Sequence, residues 1–111
     1  MTLASREVTG TVMHARVVTV QAKPGSIEQV IDIFQNHVVP AARNEKGFGG
    51  GRVLASRETG KLLLITLWAT VADLQSNEAS GFFREQLGKF MPHLAVPPVR
   101  ETYELSVNVN P

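Results

Sequence analysis

The 111-residue sequence contains no cysteine and few aromatic residues, with five phenylalanines, one tryptophan and one tyrosine. Without cysteine the chain has no disulfide, no thiolate nucleophile and no Cys-ligated zinc or iron–sulfur site. This composition fits a reducing compartment, and we expect a cytoplasmic protein. The three histidines also lack the His-x3-His spacing of a metal site, so we predict no bound metal.

The sequence also lacks a dominant sign of charge and a long apolar run. Eleven basic and ten acidic residues are scattered along the chain and give a net charge of +1. Nucleic-acid-binding domains usually carry a basic stripe, so we expect no nucleic-acid partner. No apolar run approaches the ~20 residues of a membrane-spanning helix, and the N-terminus lacks the basic start and apolar core of a signal peptide. We therefore expect no membrane association.

The length and the 43% hydrophobic content are ordinary for one globular domain. Residues 1–11 are polar and aperiodic, and we interpret them as a flexible N-terminal tail. Residues 12–111 carry the periodic patterns and are predicted to form a single domain.

Turn signals and periodicity predict the element order β-α-β-β-α-β. The strands are expected in residues 13–22, on either side of "SRETGK" at 56–61, and from residue 99 onward; the helical regions are 26–47 and 71–94. Ser26 with Gln29 suggests a capping box for the first helical region, and Thr70 is the expected cap of the second. One face of the first helix is formed by Ile27, Ile31, Phe34, Val38 and Ala41. We expect Pro40 to kink this helix or end its first part, and Ser80-Gly81 to break the second.

This order fits an α+β, ferredoxin-like fold with a four-stranded antiparallel sheet in the order 4-1-3-2 and both helices on one side. The central third strand, "LLLITLW" at 62–68, has apolar side chains on both faces. Leu62, Leu64, Thr66 and Trp68 point one way, and Leu63, Ile65 and Leu67 point the other. Since the helices cover only one face, the other requires a cover such as a second copy of the chain. We therefore predict a homodimer.

Three stretches resemble the antibiotic biosynthesis monooxygenase (ABM) domain family: "VVTVQAKPGSIEQVIDIFQNHVVPAARNEKGF", "SRETGKLLLITLWATVADLQSNE" and "VRETYEL". The resemblance covers roughly residues 13–107. It implies a dimeric α+β barrel and, as function, the oxidation by O₂ of a small phenolic, hydroquinone or polyketide-like aromatic without any cofactor. The family also includes haem-degrading enzymes and chains with no assigned reaction, so a non-catalytic dimer that binds a small ligand is the alternative.

Within this resemblance, Trp68 matches the tryptophan at the family's strand end, while Leu74 stands where an oxygenase relative has an assisting tyrosine. Haem degradation is disfavoured, because the first strand lacks the asparagine of haem-degrading relatives. Asn77 falls near the position of their helical tryptophan, and Leu87 falls near that of their histidine.

His37 lies on or beside the inner helix face and His93 at the end of the last helix, so either can act as a general base or hydrogen-bond partner near neutral pH. The predicted catalytic residues are therefore Trp68, His37 and His93. The predicted substrate-binding residues are Phe34, Phe82, Phe83, Arg84, Asn77 and Leu74. Purely structural roles remain open, since buried aromatics are mostly core residues and lone histidines are mostly structural or exposed.

Overall fold

The computed structural model describes residues 12–111 and contains one four-stranded antiparallel sheet. Its strands are β1 (His14–Gln21), β2 (Phe48–Ser56), β3 (Lys61–Trp68) and β4 (Val99–Glu104). Their spatial order, β2-β3-β1-β4, is the predicted order 4-1-3-2 read from the opposite edge. The predicted ferredoxin-like α+β fold is confirmed. The tail interpretation of residues 1–11 falls outside the described residues, and the assignment of 12–111 as one domain stays a prediction.

The first helical region changes its winding midway. Helix α1 (Ile27–Ile33) passes through a π-helical turn (Phe34–Val38) into α2 (Val39–Ala42). The π turn lies just before Pro40, whose ring lacks an N–H and would clash with the carbonyl four residues earlier in a regular α-helix. A π turn holds more residues than an α turn, so the buried face moves by one position. Ala42, which is fully buried, takes the core position that periodicity gave to Ala41.

The two helix starts differ in their capping. The predicted capping box at Ser26 and Gln29 is wrong, because the Ser26 side chain caps no backbone N–H. Ser26 closes a tight turn in which its N–H donates to the Lys23 carbonyl at 2.9 Å, and its ψ of 5° is far from the extended geometry of an N-cap. The prediction for Thr70 is confirmed, since Thr70 Oγ1 accepts a hydrogen bond from the Asp73 N–H at 3.0 Å.

Thr70 starts helix α3 (Val71–Ala79), which is followed by α4 (Phe82–Phe90) and a short 3₁₀ turn (Met91–His93). The predicted break is confirmed at Gly81, whose φ of +91° is a backbone conformation that favours glycine. None of the helices in residues 12–111 is long and apolar enough to cross a membrane.

The core lies between the helices and one face of the sheet. The β3 residues Leu62, Leu64, Thr66 and Trp68 are all buried on this face, as their alternation predicts. On the opposite face, the centre is formed by the partly exposed Leu63, Ile65 and Leu67. The edge strands carry more open side chains on this face: Leu54, which pairs with Leu63, is 57% exposed. Val99 and Tyr103, which pair with β1 residues, are 56% and 49% exposed. Within residues 12–111, the helices leave this face of the sheet, with its apolar centre, uncovered.

Candidate functional site

A cavity of about 40 Å³ lies between the sheet and the helices, at the level where β1 and β3 pass beneath α4. Its walls are largely aliphatic and aromatic, with three polar exceptions: Arg16, Thr66 and Gln86. The remaining lining residues are Val18, Phe34, Val38, Leu64, Phe82, Phe83, Leu87 and Phe90. The cavity has room for no more than a few waters, whereas small-molecule sites usually measure roughly 300–1,000 Å³. A ligand the size of a phenol therefore requires the walls to move.

Arg16 is the charged residue of this cavity. It lies on β1 opposite Thr66 of β3, so its side chain points to the helix side of the sheet, where it is only 3% exposed. Its Nη1 donates to Asn77 Oδ1 at 2.9 Å and lies 3.5 Å from Glu78 Oε2. Burial lowers the pKa of Arg16, the Glu78 carboxylate acts in the opposite direction, and the charge of Arg100 adds a further lowering. A guanidinium in proteins nevertheless stays protonated, so the cavity contains a permanent cation.

Two aromatic rings enclose the Arg16 guanidinium. Its central carbon lies 4.6 Å from the ring centre of Phe83 and 5.3 Å from that of Trp68. Trp68 is in turn held edge-on by Phe48, with the ring centres 5.7 Å apart. Such cation–π contacts partly replace the water that the guanidinium loses on burial. They also fix its direction.

Two nitrogens of the guanidinium have no hydrogen-bond acceptor among the described residues. Within residues 12–111 no acceptor is hydrogen-bonded to Arg16 Nε or Nη2. No fully buried polar side-chain atom in this part of the chain lacks a partner, so these two nitrogens keep some accessible surface. Since Arg16 lines the cavity, its spare donors are available to an anion or a carbonyl oxygen inside it.

Trp68 does not line the cavity but contacts a residue that does. Its side chain is fully buried, and its indole N–H donates to Thr66 Oγ1 at 3.0 Å. The Thr66 hydroxyl is therefore already an acceptor, which leaves its own hydrogen free to point to a group in the cavity. Any chemical role of Trp68 in this conformation passes through Thr66.

The structure brings together only some of the predicted site residues. Phe34, Phe82 and Phe83 all line the cavity. Leu74 is 1% exposed and packs outside it. Asn77 is buried beside it and connects two elements, since its Oδ1 accepts from Arg16 while its Nδ2 donates to Glu45 Oε1 at 2.8 Å.

The other predicted residues lie elsewhere. His37 is exposed, and it does not line the cavity. His93 is partly exposed and lines a separate open pocket with Glu28, Gln29, Asp32 and Ile33. Arg84 is exposed and lines a surface groove on the far side of Phe83. Within residues 12–111 no cluster of three or more His, Cys, Asp or Glu side chains is arranged to hold a metal ion.

The sequence reasoning did not name Arg16, Thr66 or Gln86 as site residues. A signal for Arg16 was present, because in "HARVVTV" it shares the buried face of a predicted central strand with two valines, where an arginine is rare unless paired. Gln86 gave no comparable signal. It is 6% exposed and its Oε1 accepts from Lys89 Nζ at 3.1 Å, but its position on α4 reads as an ordinary surface helix residue.

Comparison with known proteins finds solved structures with the same fold and a protein family whose sequence model matches this chain. A structure from Bordetella bronchiseptica, provisionally described as an antibiotic biosynthesis monooxygenase, matches with a TM-score of 0.74 at 18% identity, covering 87% of this chain and 100% of the other. One from Caulobacter crescentus CB15 with the same provisional description has a TM-score of 0.69 at 19% identity, covering 94% and 99%.

A protein of unknown function from Nitrosomonas europaea has a TM-score of 0.71 at 22% identity, covering 91% and 96%. No curated protein matches the sequence. The sequence model of the family described as antibiotic biosynthesis monooxygenase matches residues 13–87, which is more than half of the chain. The chain therefore belongs to the antibiotic biosynthesis monooxygenase family.

Proposed function

We propose that this protein is a cofactor-independent monooxygenase that oxidises a small phenolic, hydroquinone or polyketide-like aromatic compound with O₂. The observation that carries the proposal is the buried Arg16 guanidinium, which offers spare donors to a cavity lined by Phe34, Phe82 and Phe83. The aromatic walls suit a planar ring, and the guanidinium suits a phenolate oxygen.

In the proposed reaction the phenol binds with its oxygen at Arg16. Attraction between the guanidinium and the phenolate, in a site that excludes water, favours the ionised form of the substrate. The Thr66 hydroxyl, which lines the cavity and accepts from the Trp68 indole, can donate a second hydrogen bond to that oxygen. Asn77 and the Trp68 ring orient Arg16 before the substrate arrives, and the Trp68 indole orients Thr66. These two donors therefore need little reorganisation, although the apolar walls have to move.

The electron-rich phenolate itself reduces O₂. Electron transfer and radical recombination form a bond between O₂ and the ring carbon para to the phenolate oxygen. Loss of the proton on that carbon and cleavage of the O–O bond then give a carbonyl, and the departing hydroxide takes up a proton to become water. Phenol and O₂ thus give a quinone and water, with all four electrons supplied by the substrate.

The scheme also requires a proton acceptor. A general base has to come within hydrogen-bond reach of the proton that it removes, directly or through one water. His37 and His93 remain the predicted bases, although both lie outside the cavity. A substrate that enters as the anion needs no base for its own ionisation, and the proton on the ring carbon can then pass to the distal oxygen of the peroxide, which departs as hydroxide.

The same proposal includes a homodimer that pairs through the uncovered sheet face. Support comes from the apolar side chains at its centre, Leu63, Ile65 and Leu67, because burial of large aliphatic groups yields about 25 cal/mol per Å². We expect a dimer by light scattering at micromolar concentration, and a monomer for Ile65→Lys, which places a charge in the middle of the face. A monomeric parent protein would contradict the pairing.

The reaction is tested with metal-free protein and a panel of phenols and hydroquinones, with and without O₂, following quinone formation. We expect O₂-dependent turnover that Arg16→Met abolishes, whereas Arg43→Met, at an exposed arginine outside the cavity, retains it. If no compound reacts faster than its protein-free autoxidation, the monooxygenase proposal is refuted.

One observation favours the alternative of a non-catalytic ligand-binding dimer. Arg16 is the only titratable group among the residues that line the cavity, so the site can hold an anion without performing acid–base chemistry. Haem degradation has less support, because none of the described residues that line the cavity is a His, Cys, Tyr or Met able to supply an axial ligand, and Leu87 lies in its wall. Haemin addition without a Soret shift would exclude it.

A further inference from the structure

The inner cavity adjoins a second opening. Phe83 and Leu87 line the cavity and also a surface groove of about 260 Å³, whose other walls are Glu78, Arg84 and Arg100. A single layer of side chains therefore separates the two spaces. The Phe83 ring contacts two guanidiniums, because its centre lies 4.6 Å from the central carbon of Arg16 and 5.8 Å from that of Arg100.

Positive charge is in excess around this ring. Arg16, Arg84 and Arg100 meet a single carboxylate, that of Glu78, among the residues that line the two spaces. Glu78 is shared, because Arg100 Nη1 lies 3.0 Å from both of its oxygens while Arg16 Nη1 lies 3.5 Å from one. No hydrogen bond or ion pair joins Arg84 to another side chain in the described part of the chain. An anion in the groove would reduce this excess from two positive charges to one.

We propose that the natural ligand is an aromatic carboxylate that spans both spaces. Its ring displaces the Phe83 side chain and enters the inner cavity, and its carboxylate stays in the groove between Arg84 and Arg100. The two guanidinium carbons of Arg16 and Arg100 are within about 10 Å of each other, since both contact the same ring. A two-ring hydroxyaryl acid can therefore place its phenol oxygen at Arg16 and its carboxylate at the groove.

The oxidation of the ring in this ligand rests on the proposed function, but the binding of the ligand does not. A carboxylate gains charge-assisted hydrogen bonds from guanidiniums, which are roughly twice as strong as neutral ones. The groove is open to solvent, so we expect a moderate gain that weakens with added salt. Neutral phenols of the same shape are expected to bind by the inner cavity alone.

The probes are 6-hydroxy-2-naphthoate and 2-naphthol, which differ by the carboxylate. Isothermal titration of the full chain is expected to give roughly tenfold tighter binding of the acid, the ratio that corresponds to about 1.4 kcal/mol. In the double variant Arg84→Gln/Arg100→Gln, the ratio of the affinity for the acid to that for 2-naphthol is expected to fall to nearly one. The reason is that the acid loses more affinity than the neutral phenol. The control is Arg43→Gln/Arg57→Gln, two exposed arginines away from both spaces, which should keep the ratio.

Urea unfolding of each variant verifies that the fold is intact. Equal affinities of the parent for acid and phenol, or an unchanged ratio in the groove variant, would overturn the proposal, as would the failure of both probes to bind at millimolar concentration. The ratio is measured without O₂ and without turnover. A selective acid site with no quinone formation would therefore refute the oxygenase reaction alone, and turnover of neutral phenols without acid selectivity would refute the groove alone.

Discussion

Glu78 contacts one buried and one exposed guanidinium, and from this difference in burial we predict how much stability two substitutions cost. The Arg16 side chain is 4% exposed and that of Arg100 is 46% exposed, while Glu78 itself is 22% exposed. Glu78→Gln removes the charge that faces both. Arg100→Gln removes only the exposed partner and leaves the contact between Glu78 and Arg16 in place. The two substitutions break the same surface ion pair, but only the first leaves a buried cation without its carboxylate.

The magnitudes follow from the geometry. Two unit charges 3.5 Å apart attract by about 5 kcal/mol at an effective dielectric constant of about 20, and this is an upper limit because Glu78 is partly solvated. Glutamine still accepts a hydrogen bond, and Asn77 and the two rings still hold Arg16. We therefore expect Glu78→Gln to lower the free energy of unfolding by about 2 kcal/mol. Arg100→Gln should cost about 0–1 kcal/mol, the usual value of an exposed pair.

The double variant distinguishes this reasoning from a general loss of contacts. Without Glu78, the guanidiniums of Arg16 and Arg100 repel each other, so Arg100→Gln should be neutral or stabilising in the Glu78→Gln background. The assay is urea unfolding at a fixed protein concentration, with an unchanged m-value as the criterion for comparable states. Equal losses from the two single variants, or strictly additive losses in the double variant, would refute a buried charge as the cause.

Substitutions at four further positions test other parts of the structure. Trp68→Phe removes the indole donor but keeps a ring, and it should lower the free energy of unfolding in urea by roughly 1 kcal/mol. The rate of quinone formation should fall by more than the factor that corresponds to this energy. Equal losses of activity and stability would assign Trp68 to the core. Gly51→Ala places a Cβ 3.0 Å from the Phe34 ring and should weaken 2-naphthol binding in a titration, while Gly88→Ala, which meets nothing within 4 Å in helix α4, should raise stability by up to about 1 kcal/mol. Thr70→Ala removes the cap of α3 and should cost about 1 kcal/mol in thermal unfolding, whereas Thr70→Ser should retain most of it. A stable Thr70→Ala protein would show that packing alone holds the start of this helix.

The fold could be predicted because its signals are local. Each signal depends on a few neighbouring residues: the alternation along residues 62–68, the turn glycines and the Thr70 cap. Together these signals limited the topology to one arrangement. The exception was the first helical region, where the winding changes at the π turn. A period measured from a regular helix could not place Ala42 rather than Ala41 in the core.

The site could be predicted less well because its partners are distant in sequence. The hydrogen bond between Arg16 and Asn77 joins residues 61 positions apart, and nothing near either residue indicates the other. Phe34, Phe82 and Phe83 were identified because apolar helix faces are visible in the sequence. Whether His37 or His93 reaches a substrate depends on side-chain directions at the end of each helix, which spacing alone does not determine.

The π turn at residues 34–38 has a consequence for how this chain tolerates insertions and deletions. An α-helix advances by about 100° per residue, so a turn with one additional residue rotates everything after it relative to everything before it. Phe34 and Val38 line the cavity within that turn, while Ala42 beyond it is still fully buried. Deletion of a single residue between positions 35 and 37 would restore regular winding and turn α2 away from the core. The additional residue thus rotates the second part of the helix relative to the first, so that one continuous helical region packs against two different surfaces.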